Sequence, residues 1–265
     1  HWQPLDDVDQ TTEPIPVAEP RSFTTYAHPV AKGDGKVLVL KEDFDHPTAI
    51  YELDAESGQE RRLAYTGIVS SRPKLSRTGK LWWTEYRHST LFAEKVHSEL
   101  CFMNVESGRI RSFSKHRNVL YPTPLEGDCM AWVEYAPDGR YTIYINDMEG
   151  RRRKPMPYGS EIHGMAWDDV TRAIYVIVTD DDGMHIARVD GDVLTPVTRA
   201  AYTTLSDLSA SNGKLYFGSI VSGCDELHCL DLASGRETRL STSKYGSFQP
   251  SLLDDDRVVA VSYDK

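Results

Sequence analysis

Residues 28–63 read HPVAKGDGKVLVLKEDFDHPTAIYELDAESGQERRL, and residues 207–240 read DLSASNGKLYFGSIVSGCDELHCLDLASGRETRL. Each contains a glycine turn, an apolar strand, a second alternating strand, a small-residue turn with glycine, and a third strand. The first half recurs with Gly79 before KLWWTEY and Gly127 before DCMAWVEY. It recurs without glycine at Thr171-Arg172-Ala173 before IYVIV and at Asp255-Asp256-Arg257 before VVAVSY. The second half recurs around Gly58, Gly108, Gly150, Gly191 and Gly235, which are 50, 42, 41 and 44 residues apart. That is the period of a four-stranded propeller blade. Strands alternate with period two, turns fall every 8 to 12 residues, and no long helical periodicity interrupts them.

Aligning the copies on the first turn gives a column six positions upstream. Pro29, Pro73, Asp207 and Pro250 fit it without gaps, Gly164 fits against Val170, and Pro122 fits with one deletion. Proline tolerates the first position of a strand, so the column is expected to mark where each innermost strand begins.

The pattern of X-Pro, D/N-G-K, apolar strand and I-Y-x-L-D-x-x-S-G-x-x-R-x-L resembles the WD40-like repeat of TolB-type β-propellers. The resemblance covers about residues 22 to 263. It implies an all-β, six-bladed β-propeller with four-stranded antiparallel blades and a bacterial periplasmic or cell-surface location. The GH…WD signature of ordinary WD40 repeats is missing. Related repeats serve Tol-Pal components, accessory propellers of peptidases and bacterial surface proteins, so the fold is specified better than the function. Residues 21–265 form the expected propeller domain. Five blades are complete, and the last, from about Lys244, is incomplete in this chain, which reads as a fragment of a longer envelope protein. Residues 1–20 form an extension able to pair with that last blade, although Pro14, Pro16 and Pro20 oppose a regular central strand.

Composition narrows the partners. The 265 residues carry 40 acidic against 30 basic side chains, a formal charge of −10, which disfavours a phosphate backbone, and no nucleic-acid partner is expected. No apolar run approaches the roughly 18 residues of a membrane helix, and the first ten residues lack a signal-peptide pattern. Cys101, Cys129, Cys224 and Cys229 lack zinc spacing and read as reduced structural residues, with Cys224 and Cys229 able to face each other across a hairpin.

The residues preceding the aligned column are His28, Arg72, Tyr121, His163, Ser206 and Gln249. They are expected to ring one mouth of the central channel. Such a ring can hold an anionic or peptide ligand through charge-assisted hydrogen bonds, or merely a solvated rim. Its two histidines fall on opposite sides, so no metal is expected, and no cofactor. Glu85 of WTEY and Glu134 of WVEY occupy equivalent strand positions. They read either as a glycosidase-like carboxylate pair or as interface residues, Glu85 pairing with Arg87. Between Arg87 and Glu99 a long connection offers Leu91 and Phe92 as a docking loop. Arg151 to Lys154 reads as an edge strand with protective charge, or as an anion patch. The acidic runs at 180–182 and 254–256 do not match a calcium loop.

No nucleophile elbow, zincin helix, P-loop or dinucleotide loop occurs. With the envelope location that the repeat resemblance implies, the sequence supports a monomeric, non-catalytic binding or scaffolding module for a protein or peptide of the bacterial cell envelope. Its alternatives are an enzyme acting on carbohydrate or another small substrate at the channel, and the accessory propeller of a peptidase.

Overall fold

The computed structural model describes residues 23–92, 94–112, 118–147, 150–156, 160–191, 193–254 and 257–263. The expected pairing segment at residues 1–20 lies outside them. Blade one comprises β1 (Thr24–Gly33), β2 (Lys36–Asp43), β3 (Ala49–Asp54) and β4 (Glu60–Tyr65). Blade two comprises β5 (Val69–Leu75), β6 (Lys80–His88), β7 (Val96–Asn104) and β8 (Ile110–Ser112). Blade three comprises β9 (Val119–Pro124), β10 (Met130–Tyr135), β11 (Tyr141–Asp147) and β12 (Gly150–Pro155). Blade four comprises β13 (Glu161–Asp168), β14 (Ala173–Asp180), β15 (Gly183–Asp190) and β16 (Val193–Pro196). Blade five comprises β17 (Leu205–Ser211), β18 (Lys214–Ser219), β19 (Glu226–Asp231) and β20 (Glu237–Arg239), and β21 (Ser247–Leu252) with β22 (Val258–Ser262) completes the order.

Each four-stranded sheet is an antiparallel meander, so the fold is an all-β propeller. Among the described residues five blades are complete, not six: where the sequence suggests a sixth, β21 and β22 make a two-stranded sheet. It packs between β17 and β1, so the innermost strands still follow one another around a central channel.

The repeated D-x-x-S-G motif has a local cause. Asp54 Oδ1 accepts hydrogen bonds from Ser57 N at 2.8 Å and Ser57 Oγ at 2.9 Å, and Asp231 does the same with Ser234. Asn104 accepts from Ser107 N at 2.9 Å in the equivalent turn. The aspartate side chain thus replaces missing backbone partners, and the following glycine takes the left-handed conformation, φ +69° at Gly58, that closes the turn.

Alternation then sends neighbouring side chains to opposite blade interfaces. Trp83 is fully buried with Leu38, Ile50 and Met103 between blades one and two, while Trp82 packs with Val119, Met130 and Trp132 between blades two and three. Burial of such aromatic and aliphatic side chains contributes roughly 1.5–3 kcal/mol each. The core is therefore a set of inter-blade layers, and the channel at the centre is left to polar groups.

Cys101 is buried and the other three cysteines are half-buried, all as thiols. Cys229 lies in β19 and Cys224 just before it, so they do not face each other across a hairpin. The Arg151–Lys154 run forms the backbone of edge strand β12, as expected.

Candidate functional site: the central channel and the two ends of the propeller

The aligned column does not begin the innermost strands. Those strands start at Thr24, Val69, Val119, Glu161, Leu205 and Ser247, so His28, Arg72, Tyr121, His163, Ser206 and Gln249 lie within them, partway down the channel. What the column marks is a β-bulge. All six innermost strands slip register there: between Ala27 and Val30, Ser71 and Lys74, opposite Leu120 and Thr123, between Ile162 and Gly164, Ser206 and Ser209, and Phe248 and Ser251. His28, Tyr121, Asp207 and Gln249 take left-handed φ values of 50–58° at these bulges. A bulge withdraws a residue from the ladder and leaves its peptide groups to find other partners.

Arg72 supplies those partners on one side. Its guanidinium donates from Nη1 to Asp207 O at 3.1 Å and from Nη2 to the carbonyls of Pro29 at 3.2 Å, Gln249 at 3.1 Å and Pro250 at 2.5 Å. One side chain of blade two thus ties blades five and one to the two-stranded sheet. Around it, His28 N donates to Gln249 Oε1 at 2.6 Å, and Gln249 N donates to Asp207 Oδ2 at 3.2 Å. Ser209 Oγ donates to Pro250 O at 2.9 Å, and Ala31 N to Ser251 Oγ at 3.2 Å. Burial lowers the Arg72 pKa to about 10, which keeps it protonated at neutral pH, and burial with the Arg72 charge lowers His28 to about 4.

Lys74 faces the other way. Its ammonium donates to Met165 O and, at 3.0 Å, to Thr123 Oγ1, reaching blades four and three. Burial, then the neighbouring Arg72 charge, brings its pKa down to about 7. Strand β5 therefore holds two cations whose bonds together reach all five other sheets.

Of the six expected ring residues, the structure joins His28, Arg72 and Gln249 in one network. Tyr121 stands apart, its phenol pushed up to about 12 by burial and by Tyr141 and Tyr86. His163 Nε2 lies 3.8 Å from Glu161 Oε2, and Ser206 Oγ rests over Gly218. Sequence reasoning missed Lys74 and Asp207. Their signal was present: Asp207 is the charged member of the proline column, and Lys74 is the charged residue directly after it.

The two tryptophan-carboxylate motifs are structural. Glu85 Oε1 accepts from Trp83 Nε1 at 2.8 Å and Gly67 N at 3.0 Å, and Oε2 pairs with Arg87 Nη2 at 2.7 Å. Glu134 Oε1 accepts from Trp132 Nε1 at 2.9 Å. Each carboxylate holds its own indole rather than facing the channel.

The ends of the propeller differ. At one end, the loop end, the chain crosses between blades and between second and third strands; at the other, the turn end, it makes the hairpins that follow each innermost strand. Of eighteen exposed large apolar or aromatic side chains among the described residues, all but Val170 and Val193 are at the loop end. Leu91 (83% exposed) and Phe92 (64%) belong to it, with Phe44, Tyr202 and Tyr245. The turn end carries ion pairs between blades: Arg77 with Asp169, Arg172 with Glu126 at 2.5 Å, and Lys80 with Asp128 at 2.8 Å.

Comparison with known proteins identifies the fold. No family model matches the chain, and no curated protein matches it. Among solved structures, it is similar to TolB from Acinetobacter baumannii, with a TM-score of 0.64 at 14% identity, covering 86% of this chain and 57% of that one. A puromycin-hydrolysing peptidase of Mycobacterium tuberculosis matches with a TM-score of 0.59 at 19% identity over 82% of this chain. The β-propeller domain of the trilobed protease from Pyrococcus furiosus, described as having an open velcro topology, matches with a TM-score of 0.57 at 13% identity over 90% of this chain and 91% of that one. The chain spans 37% of the mycobacterial peptidase. These likenesses establish a TolB-like β-propeller, a fold shared with the propeller domains of peptidases.

Proposed function

We propose that this chain is a non-catalytic propeller module that binds or scaffolds a protein or peptide through its loop end, in the bacterial cell envelope. The observation that carries the reading is the concentration of exposed apolar and aromatic side chains at that end. Exposed apolar side chains gathered on one end of a fold are a mark of protein contact, and aromatic residues are enriched at interfaces. The envelope location follows from the repeat resemblance and belongs to the same proposal.

The channel favours binding over catalysis. Glu85 and Glu134 are committed to indoles, the Gln249 side chain accepts from the His28 backbone, and the Arg72 guanidinium is engaged by bulge carbonyls. The accessory propeller of a peptidase is a second reading, supported by the span of about two-fifths of the peptidases matched.

Photo-crosslinking in the source cells tests both. A benzoylphenylalanine at Phe92, Tyr202 or Tyr245 is expected to capture one and the same protein, and the same label at Val170 or Val193 to capture none. Capture of another part of the same polypeptide selects the accessory role. Equal capture from both ends contradicts a dedicated loop-end surface.

A further inference from the structure

A funnel opens at the turn end, where the ring of bulges lies deepest. Two cavities of about 270 and 250 Å³ share Leu75, Pro124, Trp167, Ala210 and Ser211, so the first leads into the second. Arg72 and Lys74 form the floor of the inner cavity, and Thr123, Ser209 and Ser251 bring hydroxyls to its wall.

The floor is short of negative charge. Asp207 is the carboxylate whose field reaches Arg72, and it already accepts the Gln249 amide. At Lys74 the charge that acts is another cation, Arg72. The lowered Lys74 pKa is what an ammonium without a counter-ion should show. An ammonium has three donors, and two of Lys74's are used, on Thr123 and Met165. Its third has no acceptor among the described residues, and its ammonium stands beside a cavity. At the mouth, Arg77 is paired with Asp169 and Arg172 with Glu126, so those carboxylates are neutralised along the approach. Trp167, Leu75 and Pro124 give the wall an apolar part.

We infer that this funnel binds a small carboxylate, its oxygens taking the third donor of Lys74 and the wall hydroxyls while an apolar body lies against Trp167. Charge-assisted hydrogen bonds of this kind are shorter and stronger than neutral ones. The site is on the opposite end from the proposed docking surface and stands independently of it. Two sources share the chemistry: a free organic acid, or the C-terminal carboxylate of a peptide.

Calorimetric titration of the whole chain with hippurate, with Ala-Ala-Phe and with Ala-Ala-Phe amide tests the inference. Hippurate is expected to bind saturably with a dissociation constant at or below about 1 mM, and the amide at least about tenfold more weakly than the free peptide. Lys74→Met is expected to weaken hippurate by about tenfold or more. Ser211→Phe, which keeps both cations and fills the funnel, is expected to do the same, so the test survives if Lys74→Met does not fold. Equal affinity for hippurate and the peptide acid points to a small acid, and a peptide preference of about tenfold points to a chain terminus. No saturable binding by about 10 mM, or hippurate binding unchanged in Ser211→Phe, overturns the site.

Discussion

Arg72 and Lys74 stand two residues apart on the same strand, yet the two sides of the channel they serve are built differently. Toward blades five and one, the Arg72 fork donates to four carbonyl oxygens. Toward blades three and four, Lys74 meets one carbonyl and one hydroxyl and borders a cavity. A planar, always-charged guanidinium suits the staple, because several fixed acceptors can share it. A compact ammonium with a donor to spare suits a ligand. The difference also shows how the ring closes. Among the described residues the sheet of β21 and β22 shares no backbone ladder with its neighbours; a backbone bond from Ser247 N to Asp225 O at 2.9 Å and polar spokes from β5, β17 and β1 hold it.

The largest effect is expected at the staple. Arg72→Met takes the guanidinium donor from four bulge carbonyls, of which Pro250 O keeps the Ser209 hydroxyl, and hydrogen bonds to charged groups contribute about 1.5–3 kcal/mol each. Allowing for relaxation and water entry, a loss of about 4 kcal/mol is expected. That lowers the melting temperature by roughly 10 °C in thermal circular dichroism, and a fall under about 2 °C would break the comparison.

Glu85→Gln comes next. It keeps an oxygen for Trp83 and Gly67 but removes the carboxylate oxygen and the charge that meet Arg87, leaving Arg87 only the Glu99 carboxylate at 3.5 Å among the described residues, and a cost of about 1–2 kcal/mol is expected by urea unfolding. An unchanged midpoint would return Glu85 to the list of functional candidates.

Lys74 gives a signature in pH. Its folded pKa of about 7 lies below its ordinary 10.5, so between these values the unfolded chain binds more protons and stability rises with pH. The cost of burying the ammonium is fully present below about pH 7. Melting temperature measured from pH 7 to 10 should therefore climb more steeply in the native protein than in Lys74→Met. Parallel profiles would mean that the ammonium is solvated or already paired.

The smallest stability effect is expected at the loop end. Phe92→Ser with Tyr202→Ser should change unfolding free energy by no more than about 0.5 kcal/mol, because both side chains are exposed. The same pair should abolish recovery of the protein captured by crosslinking at Tyr245. Full recovery would remove those residues from the surface.

Much of this was legible in the sequence, for identifiable reasons. The glycine turns and the Asp-x-x-Ser-Gly motif are local hydrogen-bonding units, so their spacing reported the blades directly. The column at Pro29, Pro73, Pro122, Asp207 and Pro250 was visible too, but its meaning was not. A bulge adds one residue to an inner strand without disturbing the glycine period, so proline seemed to start a strand that had begun three to five residues earlier at β1, β5 and β9. Looking only before the column found Arg72 and missed Lys74 just after it. The contrast between the two ends depends on which residues of each loop stay exposed, and a strand pattern does not report that. Leu91 and Phe92 were found because the sequence reads Arg87–Glu99 as one long connection; in the structure β6 and β7 extend into it and leave a loop over 89–95, no longer than the connections that hold Tyr202 and Tyr245.

Hydrogen exchange in the native protein and Arg72→Met tests the central claim most directly, read separately for residues 247–262 and for β10 and β14. If Arg72 closes the ring, β21 and β22 lose protection in the variant while β10 and β14, which lie in blades three and four, keep theirs. Uniform loss across all blades, or unchanged protection in β21 and β22, would contradict a ring closure that depends on Arg72.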